Sequence, residues 1–224
     1  MSKQTVNIGS SANDGTGSPI RTAFEICNDN FTELYSSGTT ALAFKIEGTD
    51  FTGSLIVGHS TTGTLDAATY NTALGIGAMD ALTTGDQNTV MGYNAGTAIT
   101  EGVKNTIIGS SAGDALTTGG ENVAIGSLAL STEDAHGKNV AVGRSALETL
   151  NAGADAYNVA VGYKAGEVMT TGVQNTIIGG LAGDALTTGG YNVAIGYEAL
   201  STEDANGRNT AIGTWALTLQ NAGA

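Results

Sequence analysis

From residue 71 onward the apolar and polar positions recur in one fixed frame. It reads Asn, then Thr or Val, then a small or aliphatic residue, then a large aliphatic, then Gly, with an Ala three residues after that Gly. Copies start at Asn71, Asn88, Asn105, Asn122, Asn139, Asn158, Asn175, Asn192 and Asn209, and every step is 17 residues except the 19 between Asn139 and Asn158. Nine units at a fixed period are the signature of a stacked repeat architecture. The pattern predicts an all-β protein, a parallel β-roll or β-solenoid of about nine 17-residue coils.

The columns of the frame suggest how such a coil is built. The position after Asn, from Thr72 to Thr210, and the position two further on, from Leu74 to Ile212, share one face of a short strand because side chains alternate. The column between them holds only Ala, Val or Ile, so the other face is expected to be shielded from water as well. On this reading Ile125 and Ile195 are packed between stacked coils. The Gly that follows ends the strand where the chain must bend or approach another backbone. A second Gly cluster, as in Thr117-Thr118-Gly119-Gly120, turns the chain toward the next Asn. Strands covered on both faces would leave one face of a single roll open to water, which points to a homotrimer. A longer period overlies the short one. Residues 105–139 match 175–209 almost letter for letter at an offset of 70, which is three coils of 17 plus one of 19. Block duplication suits a rod that needs only each coil to fit the next, and it argues against an enzyme.

The first 70 residues depart from the frame. Residues 1–17 read as an extended attachment segment. Residues 18–37 carry a helix signal: Ser18 as N-cap, Pro19 at the first helical position, and an apolar stripe of Ile20, Phe24, Cys27, Phe31 and Leu34. That stripe is a seam about two heptads long, too short to be stable alone; it fits either oligomerisation and anchoring beside a larger assembly or a helix packed on its own domain. Residues 38–70 form a transitional β region with two strand signals, LAFKIEG and GSLIVGHS. In it Leu55-Ile56-Val57-Gly58 looks like a degenerate frame, an atypical capping coil. Residues 71–224 are the repeat shaft.

Composition narrows the partners. The 224 residues include 34 glycines, one proline and 5% aromatics, which suits a core stacked from short aliphatics. A net charge of −13 disfavours nucleic acid and anionic membranes as partners. Cys27 is the only cysteine, so no intrachain disulfide forms. The opening MSKQTVNIGSS lacks the apolar run of a signal peptide, and no stretch is long enough for a transmembrane helix.

Candidate chemistry is sparse. His59 and His136 lack a pattern of partners, so no catalytic residue, metal or cofactor is assigned. Glu133-Asp134 and Glu203-Asp204 fall in equivalent turns and read as solvated loop charges; the spacing is not that of calcium-binding rolls. Threonine pairs at 83–84, 117–118, 170–171 and 187–188 are missing from coils such as those starting at Asn122, Asn139, Asn192 and Asn209, which breaks any ice-binding array. Tyr93, Tyr163, Tyr197 and Trp215 follow the strand Gly closely and are candidates for contacts with a ligand or a neighbouring chain.

The frame seen in NVAIGSLAL and NVAIGYEAL resembles the repeats of trimeric autotransporter adhesin heads. The combination of NVAIGY and DALTTG coils with the opening TVNIGSSANDGTGSPIRTAFEICNDNFTELY is similar to fibre and other virion proteins of tailed phages, especially cyanophages. The two matches together span nearly the whole chain. The resemblance implies a structural fibre of the tail, neck or head, made in the host cytoplasm and exposed on the virion. It implies a trimeric shaft joined to other virion proteins through its N-terminus, with a host-surface glycan as a further partner. The alternative is a host-recognition adhesin tip or a fragment of a bacterial trimeric adhesin head.

Overall fold

The computed structural model describes residues 44–48, 51–58, 64–202 and 205–219. Eleven strands form one sheet in strict chain order. Strands β1 (Phe44–Gly48) and β2 (Phe51–Val57) are an antiparallel pair. Nine three-residue strands follow: β3 (Thr72–Leu74), β4 (Thr89–Met91), β5 (Thr106–Ile108), β6 (Val123–Ile125), β7 (Val140–Val142), β8 (Val159–Val161), β9 (Thr176–Ile178), β10 (Val193–Ile195) and β11 (Thr210–Ile212). From β2 to β11 every neighbouring pair is parallel and in register. This is a β-solenoid of about nine turns. Among the described residues there is no helix; the helix expected over 18–37 lies outside them.

The predicted capping coil takes its place in the ladder. Leu55, Ile56 and Val57 pair with Thr72, Ala73 and Leu74, so β2 is a tenth parallel strand in the same frame. Ser54 stands where the other coils have Asn, and its Oγ accepts the Asn71 N–H at 2.7 Å.

Burial corrects the reading of the columns. The middle column of each strand points into the coil: Ala73, Val90, Ile107, Ala124, Ala141, Ala160, Ile177, Ala194 and Ala211 are all buried. The two flanking columns point outward and are half-buried or exposed; Ile107 is fully buried while Ile178, one column along, is 38% exposed. Ile125 and Ile195 belong to this outer face and are not packed between coils of their own chain. The strand has one interior face, and alternation places the small column on it. Replacing Ile107 by Ala is therefore expected to cost about 2–5 kcal/mol, by lost transfer energy and the cavity left behind. The same change at half-buried Ile108 should cost the single chain under about 1.5 kcal/mol. Denaturant melts of both variants check the difference.

The interior is filled by compensation between columns. Where the middle strand residue is Ala, a large side chain stands six residues on: Ala73 with Met79, Ala124 with Leu130, Ala141 with Leu147, Ala194 with Leu200. Where it is Val90, Ile107 or Ile177, that later position is Gly96, Gly113 or Gly183. A Cβ on Gly113 would lie 3.1 Å from the Ile107 Cδ1, and one on Gly183 3.2 Å from the Ile177 Cδ1. Both arrangements keep the packed volume nearly constant, as a close-packed core requires. The coil starting at Asn158 combines Ala160 with Gly166, and there side chains of both neighbouring coils close in with Met169: a Cβ on Gly166 would lie 3.0 Å from the Leu147 Cδ2, 3.2 Å from the Ile177 Cδ1 and 3.4 Å from the Met169 Cε.

Each frame Asn except the last is buried, and each carries hydrogen bonds in three directions. The Oδ1 of Asn88 accepts the Asn105 N–H at 3.0 Å and the Asn105 Nδ2 at 3.1 Å, while the Asn88 Nδ2 donates to the Gly102 carbonyl at 2.8 Å. The backbone half of this pattern repeats from Asn71 to Asn209. Turn carbonyls inside the stack have no strand partner, and this ladder satisfies them.

The longer coil between Asn139 and Asn158 holds its two extra residues in the turn after Leu150. Gly153 at its tip meets no neighbour. Asp155 then folds back onto the preceding coil, accepting from the Lys138 Nζ at 2.5 Å and from the Gly137 N–H at 3.2 Å. The hydrogen bond to Asp155 pushes the Lys138 ammonium above the usual lysine range, and the same contact holds the Asp155 carboxyl below the usual carboxylate range.

Candidate interaction faces

The outward columns of β3 to β11 make one continuous strip. One column is Thr or Val throughout, and the other is Leu, Met, Ile or Val. No charged residue enters it over nine strands. Leu74, Met91, Ile178 and Ile212 are exposed, and the intervening members are half-buried. An uncharged strip made mostly of β-branched side chains has the composition of an interface core rather than of an ordinary wetted surface.

Aromatic side chains stand at both ends of the strands. Tyr93, Tyr163 and Tyr197 come directly after the strand Gly and are exposed. Trp215 sits one position further along its coil, in a left-handed conformation at φ 59°, and is 62% exposed. The structure brings only some of these together. Tyr197 and Trp215 share Glu198: the Trp215 Nε1 donates to its Oε2 at 3.0 Å, and a hydrogen bond to the same carboxylate pushes the Tyr197 hydroxyl up from its ordinary range. Tyr163 stands two coils away, across Gly180, and the Tyr197 ring leans over that glycine, 3.6 Å from where a Cβ would sit. Arg144 and Lys164 each lie 5.8 Å from the Tyr163 ring centroid. Tyr93 is four coils from Tyr163 and is not part of this group.

A second aromatic column, just before the frame Asn, was not singled out from the sequence. Tyr70, Tyr157 and Tyr191 occupy it with φ values of 57°, 53° and 62°, and all three are exposed. Lys138 lies 5.1 Å from the Tyr157 ring and Arg208 5.6 Å from the Tyr191 ring. The signal was available: Tyr appears in that column three times, 87 and 34 residues apart, which are whole numbers of coils once the 19-residue step is counted.

One turn contradicts its sequence reading. Glu133 is fully buried, so it is not a solvated loop charge, whereas Asp134 beside it is exposed. Glu133 occupies a core column that holds Leu82, Ile99, Leu116, Leu150, Met169 and Leu186 in other coils. Its carboxylate accepts the His136 N–H at 3.2 Å and the Ala152 N–H at 3.3 Å, which offsets part of the cost of burying it. His136, given no partner from the sequence, has its Nδ1 3.3 Å from the Glu133 Oε1. The stripe Ile20, Phe24, Cys27, Phe31 and Leu34 lies outside the described residues, as do His59, Glu203 and Asp204.

Fold and faces define the described region as a β-solenoid repeat protein with an apolar sheet face. No protein-family model, curated protein sequence or solved structure matches the chain.

Proposed function

We propose that this protein is a structural fibre component of a tailed-phage virion, and that three copies pack through the outward strip of β3 to β11. The observation that carries this reading is the strip itself: uncharged, one column of Thr and Val beside one of large aliphatics, in register over nine strands and half-buried or exposed in the single chain. A stack of nearly identical coils supplies length and stiffness, and the resemblance of residues 1–35 and of the coils to phage virion proteins supplies the setting. Residues 1–37 attach the fibre to the particle and the coils form the shaft. The aromatics around Glu198 and Tyr163 are a contact surface for a host glycan, flat rings with adjacent charges being suited to sugar faces and hydroxyls.

Light scattering on the purified full chain is expected to give three times 22.3 kDa. A single-chain mass would overturn the trimer. Ile108→Asp combined with Ile178→Asp places charges on the strip without touching the interior. It should release monomers that keep their β-sheet circular dichroism. For the virion role, protein lacking residues 1–37, supplied as the only copy during phage assembly, should fail to join particles. Incorporation at normal copy number would move the attachment function into the coils.

A further inference from the structure

We propose that Glu133, Asp134 and His136 form a binding site for a divalent transition-metal ion of the zinc class. Each residue offers one ligand atom, and the three atoms lie within 4.8 Å of one another. Two independent features point to an ion rather than to a simple surface turn. The first is Glu133 itself, a fully buried carboxylate in a column that is otherwise Leu, Ile or Met. The second is the His136 Nδ1, a buried atom with no hydrogen-bond partner that nonetheless faces the Glu133 Oε1 at 3.3 Å. That contact is not aligned as a hydrogen bond. It has the separation of two ligands on one ion, since bonds of about 2.0–2.1 Å meeting near the tetrahedral angle put their donor atoms about 3.3–3.4 Å apart.

The surrounding fold holds all three residues in place. The Glu133 carboxylate is oriented by the His136 and Ala152 N–H groups. The Asp134 carbonyl accepts the Thr117 N–H at 2.6 Å and the Thr117 hydroxyl at 2.8 Å, from the preceding coil. The His136 carbonyl accepts the Asn122 Nδ2 at 3.1 Å, which ties the histidine to the Asn ladder. Such supporting contacts are what keep ligands at bonding geometry. Asp134 is exposed and His136 half-buried, so the site opens to solvent on one side and water completes the coordination. An imidazole nitrogen with two carboxylates favours zinc, nickel or manganese over calcium, which prefers six to eight oxygens.

The duplication supplies a matched substitution. The equivalent turn, 70 residues on, reads Glu203-Asp204-Ala205-Asn206, with both carboxylates kept and an amide in place of His136. Asparagine is thus a residue that the same frame already carries at this place. Untagged full-length protein, stripped with EDTA, is titrated calorimetrically with zinc chloride and, separately, with calcium chloride. We expect a single zinc ion bound per chain, a higher melting temperature with zinc, and no saturable heat with calcium. His136→Asn should melt like the stripped wild-type protein and lose both the zinc heat and the zinc-dependent rise in melting temperature. Absence of zinc binding by the wild-type chain, or undiminished binding by His136→Asn, would overturn the site. Saturable calcium binding that survives His136→Asn would equally overturn it, since the imidazole would then be no ligand.

Discussion

Gly162→Ala is expected to destabilise the coil stack by at least about 3 kcal/mol, the sum of a backbone conformation nearly closed to other residues and a clash that cannot relax. Gly162 ends β8 at φ 142°, outside the range L side chains adopt. A Cβ there would sit 2.4 Å from the Gly179 carbonyl oxygen and 2.5 Å from its carbon. The obstacle is backbone of the next coil, which is fixed by the ladder and has no rotamer to change. The same close approach recurs from Gly58 to Gly196, so neighbouring coils cannot shift to make room. Gly153→Ala is the matched control. It also has a positive φ, 70°, but nothing lies within 4 Å of its Cβ position, and about 1–2 kcal/mol is expected. Urea melts of the two variants decide the matter. If Gly162→Ala unfolds at the same midpoint as Gly153→Ala, the close stacking of strand ends is wrong.

Asn158→Leu is expected to cost about 2–6 kcal/mol, because two buried backbone groups lose their partners at about 1–3 kcal/mol each. The Asn158 Oδ1 accepts the Asn175 N–H at 2.9 Å, and its Nδ2 donates to the Gly172 carbonyl at 2.8 Å. Leucine offers neither function, and the site is sealed from water by the coils above and below. Val159→Thr, one residue along and on the outer face, should stay within about 0.5 kcal/mol, since that column already alternates between Val and Thr. Hydrogen exchange gives the sharper readout. The Asn175 amide should lose protection in Asn158→Leu while amides several coils away keep theirs, because each coil is held by its neighbours alone. Equal loss everywhere would mean that the ladder is not local.

The strand frame was legible because its apolar columns repeat nine times, so that chance matches cancel. Which column faces inward was not. A column holding both Ala124 and Ile107 looks too small and too variable for a core, and its partner column six residues on has to be read with it before a constant volume emerges. The larger Ile125 and Ile195 drew attention for their size, yet they stand on the outer face. The role of Asn was hidden for a different reason. Asparagine is a common turn residue, and nothing in a single coil shows that its amide spans to the next one; only an Asn present in every copy hints at a ladder. Glu133 was misread because a carboxylate in a turn is normally wetted. Its register with Leu116 and Leu150 was the available signal. The aromatics were correctly placed near the strand ends, but sequence spacing alone could not show that Tyr197 and Trp215 meet through Glu198.

The Asn ladder and the strand pairing both run from each coil to the next, along the stack rather than around it. Tension along that axis acts on all the inter-coil seams in series, so the coils give way one seam at a time. Peeling one 17-residue coil from the end would replace a rise of about 4.8 Å with a tether of roughly 55 Å. The stack is thus a spool that can lengthen severalfold and dissipate work while the remaining coils stay intact. Rewinding is templated at every step, because the last intact coil always presents an open strand edge and an Asn amide set to receive the next turn.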